Sequence, residues 1–287
     1  MKKWSFLKRI DILLYSIDNF QHDRIQYLID SEEIFPFSEN IEVYDHISFI
    51  SQKPTVICVE NKIMFKFSHE KKTIIGDEEE KIIKYVVLAV LHTDANLLEI
   101  RFDPIKGIFK SSEDFYKKIV SSIKAWCGHK LFLNFQNIEY KPVVKKLVDI
   151  YNSNEETAEV IPYKRAMNLK TGSKVMFDID ANKSMVVPIL GVLRNLIRNN
   201  KEEFDKSPII YAMLKKFIDE IEDSDVPKAS LFWRTKGILL GITHGYKDTE
   251  YSLFQYYGEL KDSEVMDFVT RYLDGYRTIG QENEIDK

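Results

Sequence analysis

Residues 85–102, reading YVVLAVLHTDANLLEIRF, restrict the fold more than any other stretch of this chain. An apolar run of strand length meets a polar pivot, His92-Thr93-Asp94-Ala95-Asn96. A second run then alternates, with Leu98, Ile100 and Phe102 on one side and Leu97, Glu99 and Arg101 on the other. Side chains change faces at every residue of a strand, so this pattern predicts a β-hairpin. Its first arm is apolar on both faces, which predicts a central place in a sheet.

Upstream, residues 47–50, 55–60 and 63–67 are further strand candidates. The last two are separated only by Asn61-Lys62, read as a tight turn. The acidic run 77–80 reads as a solvated turn, so residues 55–102 form a four-stranded antiparallel meander. Before it, residues 4–30 show helical spacing in two pieces, Trp4, Leu7, Leu14 and Ile17, then Phe20, Arg24, Tyr27 and Leu28. Asp18-Asn19 is the cap between them, although residues 12–15 are equally compatible with a strand. Asp103-Pro104 ends the meander. Ser111 or Ser112 caps a helix with a stripe of Phe115, Ile119, Ile123 and Trp126, and Gly128 suits its C-terminal stop. A short strand at 131–135 and a helix opened by Pro142 follow.

The polar stretch 152–157 marks a boundary, giving an N-terminal α+β domain over residues 1–151, a C-terminal α+β domain over 157–280, and a frayed tail over 281–287. In the second domain, strands at 158–163 and 174–179 flank a basic loop, 164–172. A helix starts near Pro188. Ser207-Pro208 starts another, with Ile210, Leu214, Phe217 and Ile221 on its core face. Residues 237–257, GILLGITHGYKDTEYSLFQYY, read as a second hairpin, followed by a helix capped by Asp262 and stopped by Gly275. Aligning His92 with His244 gives a degenerate repeat of hairpin, connector and capped helix, though this is also a common arrangement without duplication. The expected fold class is α+β: an antiparallel β-meander with flanking helices, then a second α+β half with a helical pair and a C-terminal hairpin–helix unit.

With 44% hydrophobic and 30% charged residues among 287, the chain is globular and long enough to bury a core without staples. A net charge of −4 and a pI near 6.0 exclude a generally basic nucleic-acid coat. Cys58 and Cys127 lack metal-ligand spacing and read as reduced thiols. No uninterrupted apolar run follows Lys2-Lys3, and none approaches a membrane span, so a cytoplasmic protein without a membrane role is expected. The Lys-, Ile- and Asn-rich usage fits an AT-rich bacterial or phage genome.

Five groups of residues offer chemistry. His92 and His244, each ending a hairpin arm ahead of Asp94 or Asp248, are candidate bases or ligands, or turn histidines. Asp178 and Asp180 share a strand face and can hold a hard cation, but Asp-x-Asp before Ala181-Asn182-Lys183 is also an ordinary turn sequence. Glu139-Tyr140-Lys141, with Asp103 upstream, has the form of a metal-dependent nuclease site, although Pro142 favours a helix start. The segment 163–174 contributes Lys164, Arg165, Lys170 and Lys174 for phosphates, with Tyr163 for stacking. Trp233, Arg234, Tyr251 and Tyr257 concentrate interface-type side chains on the second hairpin. No Gly-rich dinucleotide loop, phosphate loop, Ser-His-Asp elbow or Cys-x-x-Cys pair is present, so no cofactor is implied. The leading expectation is a non-catalytic interaction or regulatory protein, an accessory subunit binding a protein partner, a second copy of itself, or nucleic acid. The alternative is a metal-dependent nuclease using Asp103, Glu139 and Lys141 or the Asp178/Asp180 pair.

Overall fold

The computed structural model describes residues 8–37, 53–75, 79–110, 114–154, 156–168, 174–178, 188–222, 225–245, 251–258 and 263–285. The fold is mixed α+β with mostly antiparallel strand pairing, and the chain divides into two compact units. One is Lys8–Ile138; the other is Glu139–Lys287 together with Met1–Leu7.

The first unit contains β1 (Lys8–Asp18), α1 (Asp23–Asp30), β2 (Phe35–Pro36), β3 (Thr55–Val59), β4 (Lys62–Ile75), β5 (Glu79–His92), β6 (Leu97–Phe102), α2 (Phe115–Leu131) and β7 (Asn134–Asn137). Its strands run in the order β2-β3-β4-β5-β6-β1, with β7 also on β1. The meander over β3–β6 is therefore present. Its first turn is Glu60-Asn61 rather than Asn61-Lys62: Val59 pairs with Lys62, and Glu60 takes a φ of 40°. β4 and β5 run on past their neighbours, so 68–75 and 79–86 form a two-stranded ribbon leaving Ile74, Ile82 and Val86 exposed.

The first helical piece expected over residues 4–30 is instead β1. Ile12, Leu13, Leu14, Tyr15 and Ile17 are all buried, and a short run apolar on both faces suits a central strand as well as a helix. α2 lies on the face carrying Phe65, Phe67, Tyr85 and Phe102. Trp126 sits 5.4 and 5.3 Å from the rings of Phe65 and Phe67, Phe115 5.5 Å from Tyr85, and Tyr116 5.2 Å from Phe102. The helix does not stop at Gly128. It runs to Leu131, and Phe132 takes the left-handed position at φ 57°. Gly128 serves close approach instead: the Leu133 carbonyl and the Phe135 ring pass 3.5 and 3.6 Å from where a Cβ would stand.

The second unit contains α3 (Lys141–Ser153), β8 (Val160–Asn168), β9 (Lys174–Asp178), α4 (Pro188–Asn199), α5 (Lys201–Asp205), α6 (Pro208–Glu222), β10 (Asp225–Trp233), β11 (Ile238–Thr243), β12 (Leu253–Gly258) and α7 (Ser263–Ile285). Its strands run β9-β8-β10-β11-β12, each pair antiparallel. α3 packs on β8 and α7, which is why it belongs to this unit, and the polar stretch 152–157 lies inside the unit. Tyr151, Ala158, Ile161 and Phe232 form one core cluster. Trp233 meets Tyr272 of α7 at 5.8 Å and Tyr140 meets Phe254 at 4.8 Å.

β10 was not expected as a strand, because Pro227, Lys228 and Ser230 hide its pattern. α7 runs through Gly275 to Ile285, across the stop expected at Gly275 and into the tail read as frayed. Asp262, Ser111, Ser112, Lys170, Asp180, Asp248 and the strand candidate 47–50 lie outside the described residues.

Candidate interaction surface

Two of the acids proposed for metal chemistry, Asp103 and Glu139, face solvent. Asp103 is exposed on the connector after β6, its carbonyl accepting the Tyr85 hydroxyl at 2.8 Å. Glu139 and Lys141 are exposed on either side of buried Tyr140, and Lys141 is the first residue of a helix, not part of a strand. Asp178 ends β9 and is in register with Lys164.

The basic segment is largely strand rather than loop. Lys164 and Arg165 lie within β8, and Lys174 is exposed at the start of β9. The Lys164 ammonium sits 5.8 Å from its neighbour's ring, Tyr163. Residues 169–173, between the two strands, lie outside the described residues.

On the second hairpin, Trp233 is a core residue and not a partner contact. It is fully buried, in register with Val160 on one side and Ile238 on the other. Its burial follows from facing α7, which the sequence could not place. Arg234 is exposed, but its guanidinium donates to the Glu156 carbonyl at 2.7 Å and so braces the chain leading into β8. Leu253 is buried, while Tyr251, Gln255 and Tyr257 are half-buried. The Tyr257 ring lies across Gly241, 3.6 Å from the place of a Cβ, so the glycine gives that ring its seat.

Neither hairpin histidine is an exposed turn residue. His92 ends β5 with no exposed surface, and its Nε2 lies 3.5 Å from the carboxylate of Glu99, also fully buried. Arg101, two residues on and on the same face, donates from Nε to that carboxylate at 2.5 Å. The sequence alternation set Glu99 and Arg101 opposite the core face, but both faces of β6 are buried. In the second unit, buried His244 places Nδ1 2.8 Å from the Ser252 hydroxyl, tying together the ends of the β11–β12 connection.

The strongest surface feature is one the sequence reading assigned to the core. α6 carries apolar residues around much of its circumference, and only Ile218 is buried, with Leu214 and Ile221 half-buried. Ile209 is 76% exposed, Met213 69%, Ile210 58% and Phe217 48%. On α4, Leu196 is exposed as well. The signal available in the sequence was the width of the apolar arc, which exceeds what one packed face needs. A smaller surface cluster lies in the first unit. There the Arg24 guanidinium sits between the exposed rings of Tyr27 and Phe132, at 4.4 and 4.5 Å, and donates to the Lys130 carbonyl at 2.7 Å.

Among the described residues, no helix is long and apolar enough to cross a membrane. No protein-family model matches the chain, and no curated protein matches it.

Proposed function

We propose that this chain is a non-catalytic interaction protein, an accessory or regulatory subunit, that binds a protein partner through the apolar face of α6. The observation that carries this reading is the run of exposed Ile209, Ile210, Met213 and Phe217 on a single helix. Single apolar residues at a surface need no explanation, whereas a contiguous set marks a surface built to be covered. Covering a large apolar side chain contributes about 1.5–3 kcal/mol, so four of them supply the driving force of a specific contact. The half-buried Tyr251 and Tyr257 have interface-type chemistry too, but less surface to offer.

Charge argues for a protein rather than a nucleic acid. The chain carries a net −4, and in the basic segment Lys164 is in register with Asp178. A phosphate-binding strip needs cations without interleaved acids.

The test is affinity capture on the tagged chain in its native cell, with and without nuclease treatment. The expected result is a protein retained after nuclease and lost from the Ile209→Asp/Met213→Asp variant. Retained material that is nucleic acid, or capture indifferent to both substitutions, would overturn the proposal.

A further inference from the structure

We infer that the partner seated on α6 is a second copy of this chain, the two α6 helices lying antiparallel about a two-fold axis at Met213. This rests on the docking role proposed above and names its occupant.

At ~100° per residue, Ile209, Met213, Phe217 and Ile210 fall within an arc of about 100°, and all are exposed. Ile221, Leu214 and Ile218, half-buried or buried, occupy roughly the next 60°. The apolar surface is therefore much wider than the part the chain covers for itself.

A two-fold contact requires a patch that fits its own copy, and this one does in one orientation. Along the axis it carries two isoleucines at the N-terminal end, a methionine in the middle and a phenylalanine at the C-terminal end. Turned antiparallel, the branched pair Ile209 and Ile210 of one helix meets the Phe217 ring of the other. Met213, unbranched and adaptable, meets itself on the axis.

The charges select the same orientation. The C-terminal end of the strip carries half-buried Glu220, with exposed Asp219 next to it in sequence. Antiparallel pairing brings these acids to the N-terminal end of the other helix, where unsatisfied N–H groups form a positive pole and Lys206 is exposed. Lys206 then exchanges or shares its exposed ion pair with Glu203, 2.7 Å away in the single chain. Parallel pairing would set Phe217 on Phe217 and acid on acid. One helix pair of this length buries less than the ~1,200 Å² at which stable complexes begin, so the dimer is weak and concentration-dependent.

Sedimentation velocity on the full chain, from low micromolar to several hundred micromolar, tests this. The weight-average mass should rise from one chain toward two. Met213→Asp should hold it at one chain throughout, with Ile209→Asp as a second variant and circular dichroism confirming that both remain folded. Lys206→Glu and Glu220→Lys should each weaken association about threefold to tenfold, and combining them in one chain should restore it. In a Cys58→Ser background, Met213→Cys should oxidise to a disulfide-linked dimer, whereas Tyr211→Cys, on the other side of the helix, should not. A wild-type mass fixed at one chain, or a dimer that survives Met213→Asp, overturns the inference. If the chain is monomeric but captures a different protein in a Met213-dependent way, the second-copy inference alone fails. Capture insensitive to Met213→Asp sinks the docking role itself.

Discussion

The connections β5–β6 and β10–β11 share one geometry and have opposite chemistry. In each, the last residue of the first strand pairs with the first residue of the next across a four-residue turn, His92 with Leu97 and Trp233 with Ile238. Each turn ends in a left-handed residue, Asn96 at φ 50° and Gly237 at φ 62°. On the face set by the pre-turn residue, the first unit carries His92, Leu97, Glu99 and Arg101. The second carries Trp233, Ile238, Leu240 and Ile242, and all eight are buried. The helices also differ. α2 covers the face opposite the ionic group in the first unit, while α7 packs on the face of Trp233 in the second. The same hairpin frame thus accepts either a hydrogen-bonded ionic cluster or hydrocarbon, provided every buried charge has a partner.

The largest expected effect breaks the first of these solutions. Arg101→Ala leaves the Glu99 carboxylate buried without its cation and should cost about 3–5 kcal/mol, measured by urea unfolding. Writing the second hairpin's chemistry into the first, as Glu99→Leu with Arg101→Ile, should be neutral or stabilising by up to about 4 kcal/mol. A double variant as unstable as the single one would show that the two frames are not interchangeable. In the second unit, Trp233→Ala should cost about 3–5 kcal/mol, as a core residue does. A loss near zero would return Trp233 to the surface.

Alkaline pH tests the burial of a thiol in the first unit, where both cysteines lie. Burial pushes the Cys127 thiol up from 9.0 to about 12, so the folded state favours the protonated form. The stability this contributes is complete below about pH 9 and is lost as pH rises toward about 12. Exposed Cys58 should react with a thiol reagent in the native protein and Cys127 only on unfolding; equal native labelling rates would contradict its burial. The turns give a smaller difference. Gly237→Ala should cost about 1–2 kcal/mol, while Asn96→Gly should change stability by less, since Asn already tolerates that conformation. The smallest effect is on α6, where Met213→Asp should shift the thermal midpoint by no more than about 0.5 kcal/mol allows while abolishing association.

Much of the fold was legible where the apolar period is strong. The four-strand meander, the buried stripe of α2, the Pro142 and Ser207-Pro208 helix starts and the mixed α+β class all follow from period and capping. The internal similarity was seen but aligned one strand late. Matching His92 to His244 paired β5–β6 with β11–β12, whereas the geometric counterpart is β10–β11, whose first strand is masked in sequence by Pro227 and Lys228. The surface was less legible. A wide apolar arc on α6 looks the same in sequence whether a neighbour covers it or solvent does, and an aromatic such as Trp233 suits an interface as well as a core.

By itself, the sequence determined which segments alternate and which are apolar throughout, because period and turn chemistry are local properties of the chain. Tertiary structure decided what those faces meet: whether Glu99 and Arg101 turn to water or to each other, whether Trp233 packs on α7, and whether α6 is covered. Burial depends on neighbours distant in sequence, and no local pattern encodes their identity. For the same reason the function proposed here stands on the exposed face of one helix.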